Sequence, residues 1–168
     1  MRFCRGYFQQ EVPTIGASYY TKSFALSTNK KVKFEVSVNN ISLIFLLIIV
    51  KIWDTAGLER YRALAPMYYR NSDAAILVYD ITNLESFNAL KHWHTELLNK
   101  VPNCLIIIIG NKIDLMESRQ VDPSIVEEYA KQYNIPFYET SSKTGQNVNE
   151  VFMDLGKMLM EKHSQSNT

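Results

Sequence analysis

Hydrophobic positions fall into two patterns along this chain, and the alternation between them predicts its architecture. Residues 74–78, 105–109 and 135–138 are short, almost unbroken apolar runs, as expected of parallel strands covered on both faces. Between and after them the spacing turns helical. Residues 86–100 place Phe87, Leu90, Trp93 and Leu97 on one stripe, residues 124–133 place Ile125, Tyr129 and Ala130, and residues 148–160 place Val151, Phe152, Leu155 and Leu159. Strand and helix alternate, which predicts an α/β fold: a three-layer, doubly wound, mostly parallel sheet with its ligand-bearing loops at the strand carboxyl ends.

Upstream, residues 23–27 and 31–35 predict a hairpin around Thr28, Asn29 and Lys30. Val32 and Phe34 share one face of its second strand, and Lys33 and Glu35 the other. Residues 36–51 break this pattern, because the apolar run from Leu43 to Val50 extends a strand already long enough. That run is far short of the ~20 residues a helix needs to cross a bilayer. Joining Glu35 directly to Ile52 gives one alternating strand, Lys31-Val32-Lys33-Phe34-Glu35-Ile52-Trp53-Asp54, and the even length of the segment between them preserves its faces. Residues 36–51 therefore read as an out-of-pattern insertion of the kind a retained intron leaves, with an extra buried strand as the plainer alternative.

Composition narrows the class. With 168 residues, 46% hydrophobic and 21% charged, the chain suits one domain with a real core, here residues 1–162, followed by a polar tail at 163–168 expected to be disordered. A net charge of +1 gives no field to attract nucleic acid. Cys4 and Cys104 stand far apart beside hydrophobic residues and suit reduced, packed thiols. No signal peptide opens the sequence and no cysteine in the tail could carry a prenyl group, so the expectation is a cytoplasmic monomer without a membrane anchor.

Four strings carry candidate chemistry. Trp53-Asp54-Thr55-Ala56-Gly57-Leu58-Glu59-Arg60-Tyr61 sits where a strand gives way to a loop; Gly110-Asn111-Lys112-Ile113-Asp114 follows the apolar strand 105–109; Glu139-Thr140-Ser141-Ser142-Lys143 follows strand 135–138; and Pro13-Thr14-Ile15-Gly16-Ala17-Ser18 lies near the start. A carboxylate such as Asp114 can accept both N1–H and the exocyclic amine of guanine, donors that adenine does not offer together. Pairing buried polar groups this way can discriminate by ~10⁴.

Together these strings resemble the Rab family of small GTPases, over residues 1–35 and 52–160 in unbroken order. The wording Thr-Ile-Gly-Ala-Ser and Leu64-Ala65-Pro66-Met67-Tyr68-Tyr69-Arg70 is most similar to the early-endocytic subgroup. The resemblance implies a GTP-binding switch in vesicle traffic, with GTP, GDP and Mg²⁺ as ligands and with exchange factors, GTPase-activating proteins and effectors as partners. It implies an endosomal membrane as the destination of a prenylated form. It assigns Thr14 and Asp54 to Mg²⁺, Gly57 to the γ-phosphate, and Asn111, Lys112, Asp114, Ser141, Ser142 and Lys143 to the nucleotide. Asn111 would tie neighbouring loops, the Lys112 stem would cover the ring, and the Ser142 backbone N–H would meet guanine O6. Ile15, Trp53 and Tyr68 would belong to an effector surface, where aromatic residues are enriched.

Several departures bear on activity. No Gly-x-x-x-x-Gly-Lys-[Ser/Thr] string occurs, and Met1-Arg2-Phe3 matches the later part of the family's first helix, so the expected domain lacks its first strand, its phosphate loop and part of that helix. Leu58 occupies the position of the water-orienting glutamine and can neither donate nor accept a hydrogen bond. Ser142 stands where the family has alanine. By family the chain hydrolyses GTP to GDP and phosphate; these departures predict impaired hydrolysis. The alternatives are a nucleotide-free, effector-binding pseudo-GTPase, or a mis-assembled gene product without activity of its own.

Overall fold

The computed structural model describes residues 17–27, 45–55 and 69–165, the first two segments as backbone strands. Strand β1 (Ala17–Ser27) pairs antiparallel with β2 (Phe45–Thr55), with Ala17 opposite Thr55 and Ser27 opposite Phe45. This corrects the expected hairpin. The partner of 23–27 is not 31–35, which lies outside the described residues, but the end of the segment read as an insertion: Ser23 faces Ile49 and Leu26 faces Leu46. Residues 45–51 supply Phe, Leu, Ile and Val, which suit a pleated strand better than alternating lysine and glutamate do. The even offset between the two segments lets either run into Ile52 without inverting the faces.

The second sheet is parallel, in the order β3 (Ala74–Asp80), β4 (Leu105–Asn111), β5 (Phe137–Thr140). Helices α1 (Leu84–Lys100), α2 (Pro123–Gln132) and α3 (Val148–Gln165) follow the three strands in turn, with a 3₁₀ segment (Ile113–Ser118) between β4 and α2. Central strand β4 shows why its sequence is apolar throughout. Ile108 packs into a core with Tyr79, Phe87, Leu90, Val126 and Ala130, while Ile107 and Ile109 pack on the opposite face against Val151 and Leu155. Both faces of β4 are covered, as its uninterrupted apolar run requires, whereas Val78 of β3 is 55% exposed among the described residues.

Strands β3 and β4 run two residues beyond their apolar stretches, because parallel pairing continues through Asp80 opposite Asn111. Strand β5 starts two residues later than expected: the Ile135 N–H still bonds to Ala130 O at the end of α2. Helix starts follow their caps. The Asn83 side chain accepts from Glu85 N and Ser86 N, and Asp122 accepts from Ser124 N ahead of Pro123, whose missing donor is harmless at a first turn.

Two predicted stripes are shifted. In α2 it is Val126, not Ile125, that is buried beside Ala130. In α1 it is His94, not Trp93, that joins Phe87, Leu90 and Leu97 inside. His94 Nδ1 lies 2.7 Å from the Tyr129 hydroxyl, and its ring meets Tyr129 and Tyr133 edge-on. A buried imidazole needs a polar partner, and Tyr129 on α2 provides one. Helix α3 runs through Gln165, past the start of the tail expected to be disordered: Lys162 donates to the carbonyl of Asp73 at 3.2 Å and to that of Asn103, and His163 lies 3.8 Å from Asp73. Among the described residues no helix is long and apolar enough to cross a membrane.

The remaining nitrogen of His94, Nε2, is buried without a hydrogen-bond partner, and the neighbouring cation Lys91 lies over the Phe87 ring and 5.7 Å from that of Tyr129. Burial lowers the pKa of the imidazole from its ordinary value. The folded chain therefore takes up this proton less readily than the unfolded chain, whose histidine titrates near ~6.5. The contribution of neutral His94 is fully present above that value and declines as pH falls below it. Chemical denaturation should give a stability that drops between pH 7 and pH 5, and His94→Gln should flatten the slope; an unchanged slope in the variant would dismiss His94 as its source.

Candidate functional site

The carboxyl ends of the three parallel strands meet in one row. Asp80 on β3 stands opposite Asn111 on β4, and Asn111 stands opposite Thr140 on β5. The side chains in this row and in the loops after it are linked by directed hydrogen bonds. Asn111 Oδ1 accepts from Ser142 N at 3.0 Å, from the Ser142 hydroxyl at 3.0 Å and from the Thr140 hydroxyl at 3.3 Å. Because a backbone N–H can only donate, the Ser142 contact fixes which end of the amide is oxygen. Asn111 thus joins the end of β4 to the loop after β5. The Ser142 N–H, which the resemblance assigns to guanine O6, is engaged by Asn111 here.

Three residues beyond Asn111, Asp114 points back to the same loop. Its Oδ1 accepts from the fully buried Ser141 hydroxyl at 2.5 Å, and Ser141 Oγ in turn accepts from Thr144 N at 3.1 Å. Asp114 Oδ2 stands 3.9 Å from Lys143 Nζ, too far for a hydrogen bond, and the carboxylate is only 13% exposed. One oxygen is therefore held while the other keeps acceptor capacity, at a site where water is mostly excluded. Oδ1 also keeps a second lone pair, so the carboxylate retains acceptor capacity on both oxygens.

Between Asn111 and Asp114 the backbone of Lys112 enters the left-handed region (φ 73°), which turns the chain from β4 into the 3₁₀ segment. Lys112 Nζ reaches 2.5 Å from Asp80 Oδ2. The other Asp80 oxygen accepts from the Thr82 N–H at 2.9 Å and the Thr82 hydroxyl at 2.7 Å. Burial alone would raise the Asp80 carboxyl; the bonds from Lys112 and Thr82 outweigh it and hold the group below the usual carboxylate range. A second ion pair closes the far side. The Arg119 guanidinium grips Glu139 through two bonds, 2.6 and 3.1 Å, and also donates to Val121 O, joining the chain after the 3₁₀ segment to β5.

The structure thus brings together Asn111, Lys112, Asp114, Ser141, Ser142 and Lys143. Trp53 and Asp54 lie on β2, opposite Tyr19 and Ser18, and Thr14, Ile15, Gly57, Leu58 and Tyr68 fall outside the described residues. Among the described residues no cluster of three or more histidine, cysteine, aspartate or glutamate side chains is placed to hold a metal.

A family model described as "Ras family" matches residues 1–161 of the chain. The Ras-related protein Rab5A of Oryza sativa subsp. japonica is similar at 41% identity over 170 aligned residues, covering all of this chain and 75% of that protein. The chain is a Rab-like member of the Ras family. Its parallel three-stranded sheet with flanking helices is consistent with the α/β fold of that family.

The bonds that hold this Rab-like site from behind were not evident in the sequence. Asp80 carried a weak signal, since Asp-x-Thr at a strand end suggests a side-chain-capped turn; the Arg119–Glu139 pair carried none, its partners being 20 positions apart. Gly110 has a packing reason. A Cβ there would stand 2.6 Å from the Tyr79 hydroxyl and 2.9 Å from its ring carbon. That hydroxyl is buried and without a hydrogen-bond partner, and burial together with the nearby Glu139 raises its pKa. Gly110→Ala should destabilise the chain by ~1 to 3 kcal/mol through overpacking. Tyr79→Phe should return part of that loss in the double variant, and strictly additive denaturation midpoints would reject the contact as its cause.

Proposed function

We propose that this chain is a guanine-nucleotide switch of the Rab type, acting in intracellular vesicle traffic. The single observation carrying the reading is the Asp114 carboxylate, oriented by Ser141 through one oxygen and left with acceptor capacity on the other, in a loop that Asn111 ties to β5. N1–H and the exocyclic amine of guanine would pair with Asp114. The Lys112 stem would lie along the ring, and the loop Ser141, Ser142 and Lys143 would close over the O6 edge. For O6 to reach the Ser142 N–H, that donor must be shared with Asn111 or released by it.

Thr14 and Asp54 offer the hydroxyl and carboxylate oxygens that Mg²⁺ prefers, and the ion would neutralise phosphate charge between them. Gly57 would meet the γ-phosphate, and GTP would order the segments around Thr14 and Gly57 so that Ile15, Trp53 and Tyr68 form the surface read by effectors. Exchange factors and GTPase-activating proteins would set the balance of states, and the resemblance of the Thr-Ile-Gly-Ala-Ser wording to the early-endocytic subgroup favours endosomal membranes as the place of action.

The base end of this site can be tested directly. Displacement of a fluorescent GDP by unlabelled GDP or ADP should show a preference for guanine, and Asp114→Asn should reduce that preference by at least about a hundredfold, two bonds to a charged acceptor being lost. A chain that unfolds cooperatively yet shows no preference between the two nucleotides would overturn the proposal. Leu58 predicts the rate of the chemical step: with no group there to orient water, Leu58→Gln should raise single-turnover GTP hydrolysis, and equal rates would show that another residue performs that task.

A further inference from the structure

Lys112 poses a problem that its expected role alone does not solve. A lysine stem has four rotatable bonds, and the side chain is half exposed, so nothing in its own chemistry keeps it along a ring. Its ammonium is nevertheless fixed. Asp80 is the fixed point, because the residue is held at both side chain and main chain: Oδ1 accepts both donors of Thr82, and the Asp80 backbone N–H donates to the Ser86 hydroxyl at 2.9 Å at the start of α1. The second oxygen is thereby aimed across the strand row at residue 112. The register makes this reach possible, since Asp80 lies beside Asn111 and Lys112 follows at the turn.

We propose that Asp80 is a positioning residue of the nucleotide site: it anchors the Lys112 ammonium so that the lysine stem is already ordered where the purine ring docks. The inference rests on the reading of Lys112 as the cover of that ring. It adds a residue on β3 to a site otherwise built from β4, β5 and their loops. The benefit is preorganisation. A free lysine must lose its rotational freedom when a ring arrives, whereas a tethered one has lost it on folding. An ordinary surface ion pair, by contrast, would act on the fold and leave ligand exchange untouched.

Asp80→Asn separates the two, because the amide oxygen can still accept from Thr82 while its other end presents N–H to the ammonium. Stopped-flow release of a fluorescent GDP would be compared in four versions of this chain: wild type, Asp80→Asn, Lys112→Met and the double variant. Lys112→Met keeps an apolar stem and removes the ammonium. Asp80→Asn should speed release about two- to fivefold, the range an exposed ion pair supports, and should add nothing in the Lys112→Met background. An equal effect in both backgrounds, or none in the wild type, would overturn the proposal.

A second measurement does not need nucleotide. The Asp80 carboxyl, followed by carbon-detected NMR, should titrate higher in Lys112→Met than in wild type and unchanged in Lys143→Met. Wild-type protein without measurable GDP binding would defeat the guanine reading while this titration still decided the tether, and an Asp80 midpoint indifferent to Lys112 would end it.

Discussion

The parallel register of three strands is the constraint on which the site depends. Pairing Asp80 with Asn111, and Asn111 with Thr140, places three polar side chains in one row at the end of an otherwise apolar sheet. A slip of one residue would break the row, setting Asp80 opposite Gly110 or Lys112 instead of Asn111 and moving Ile108 into the core that holds Ile107 and Ile109. The apolar packing on both faces therefore does more than stabilise the sheet: it determines which side chains reach its edge. Asn111 then converts strand register into loop position, since its one oxygen gathers three donors from β5 and the loop beyond.

Charge at this edge is used locally. Asp80 pairs with Lys112, Glu139 with Arg119, and Asp114 stands within reach of Lys143, so three acids and three bases lie along one end of the sheet in a chain whose net charge is +1. The three pairs differ in geometry and so in effect. Arg119 and Glu139 make a two-bond, mostly buried grip between the segment after the 3₁₀ turn and β5, which suits a fixed joint. Asp80 and Lys112 make a single contact at the end of a flexible stem. Asp114 and Lys143 do not close to hydrogen-bond distance, which leaves the carboxylate its second oxygen.

Most of this sheet was legible in the sequence because burial on both faces leaves a plain trace: residues 105–109 are apolar without interruption, and the structure puts Ile107 and Ile109 on one face and Ile108 on the other. The helices were legible as helices but not in rotational detail. Trp93 and His94 are adjacent in sequence but roughly 100° apart around the helix, and hydrophobicity favours the tryptophan; the buried histidine is matched by Tyr129, which lies on another helix. The partner of β1 was misjudged for a related reason. Two segments an even number of residues apart can each lead into Ile52, and alternation alone favoured 31–35, whereas pairing went to the more apolar 45–51. Motif residues from Asn111 to Lys143 were visible because their chemistry is local in sequence; the bonds that hold them in place are long-range and left no local pattern.

Gly110 shows how closely core and site are joined. The residue immediately before Asn111 has no room for a side chain, because the Tyr79 ring from β3 occupies the space a Cβ would need. Tyr79 in turn stacks with Phe137 of β5 and lies against Phe87 of α1, so one aromatic ring spans all three strands and the helix covering them. Its buried hydroxyl has no partner, a cost that phenylalanine would avoid. What the ring secures is contact: β4 can approach only as far as a glycine allows, and the next two positions, Asn111 and Lys112, inherit that spacing. The loop from Asn111 to Asp114 is therefore set from beneath by an aromatic core and from the side by Asp80 and Arg119, and neither support is contributed by the motif itself.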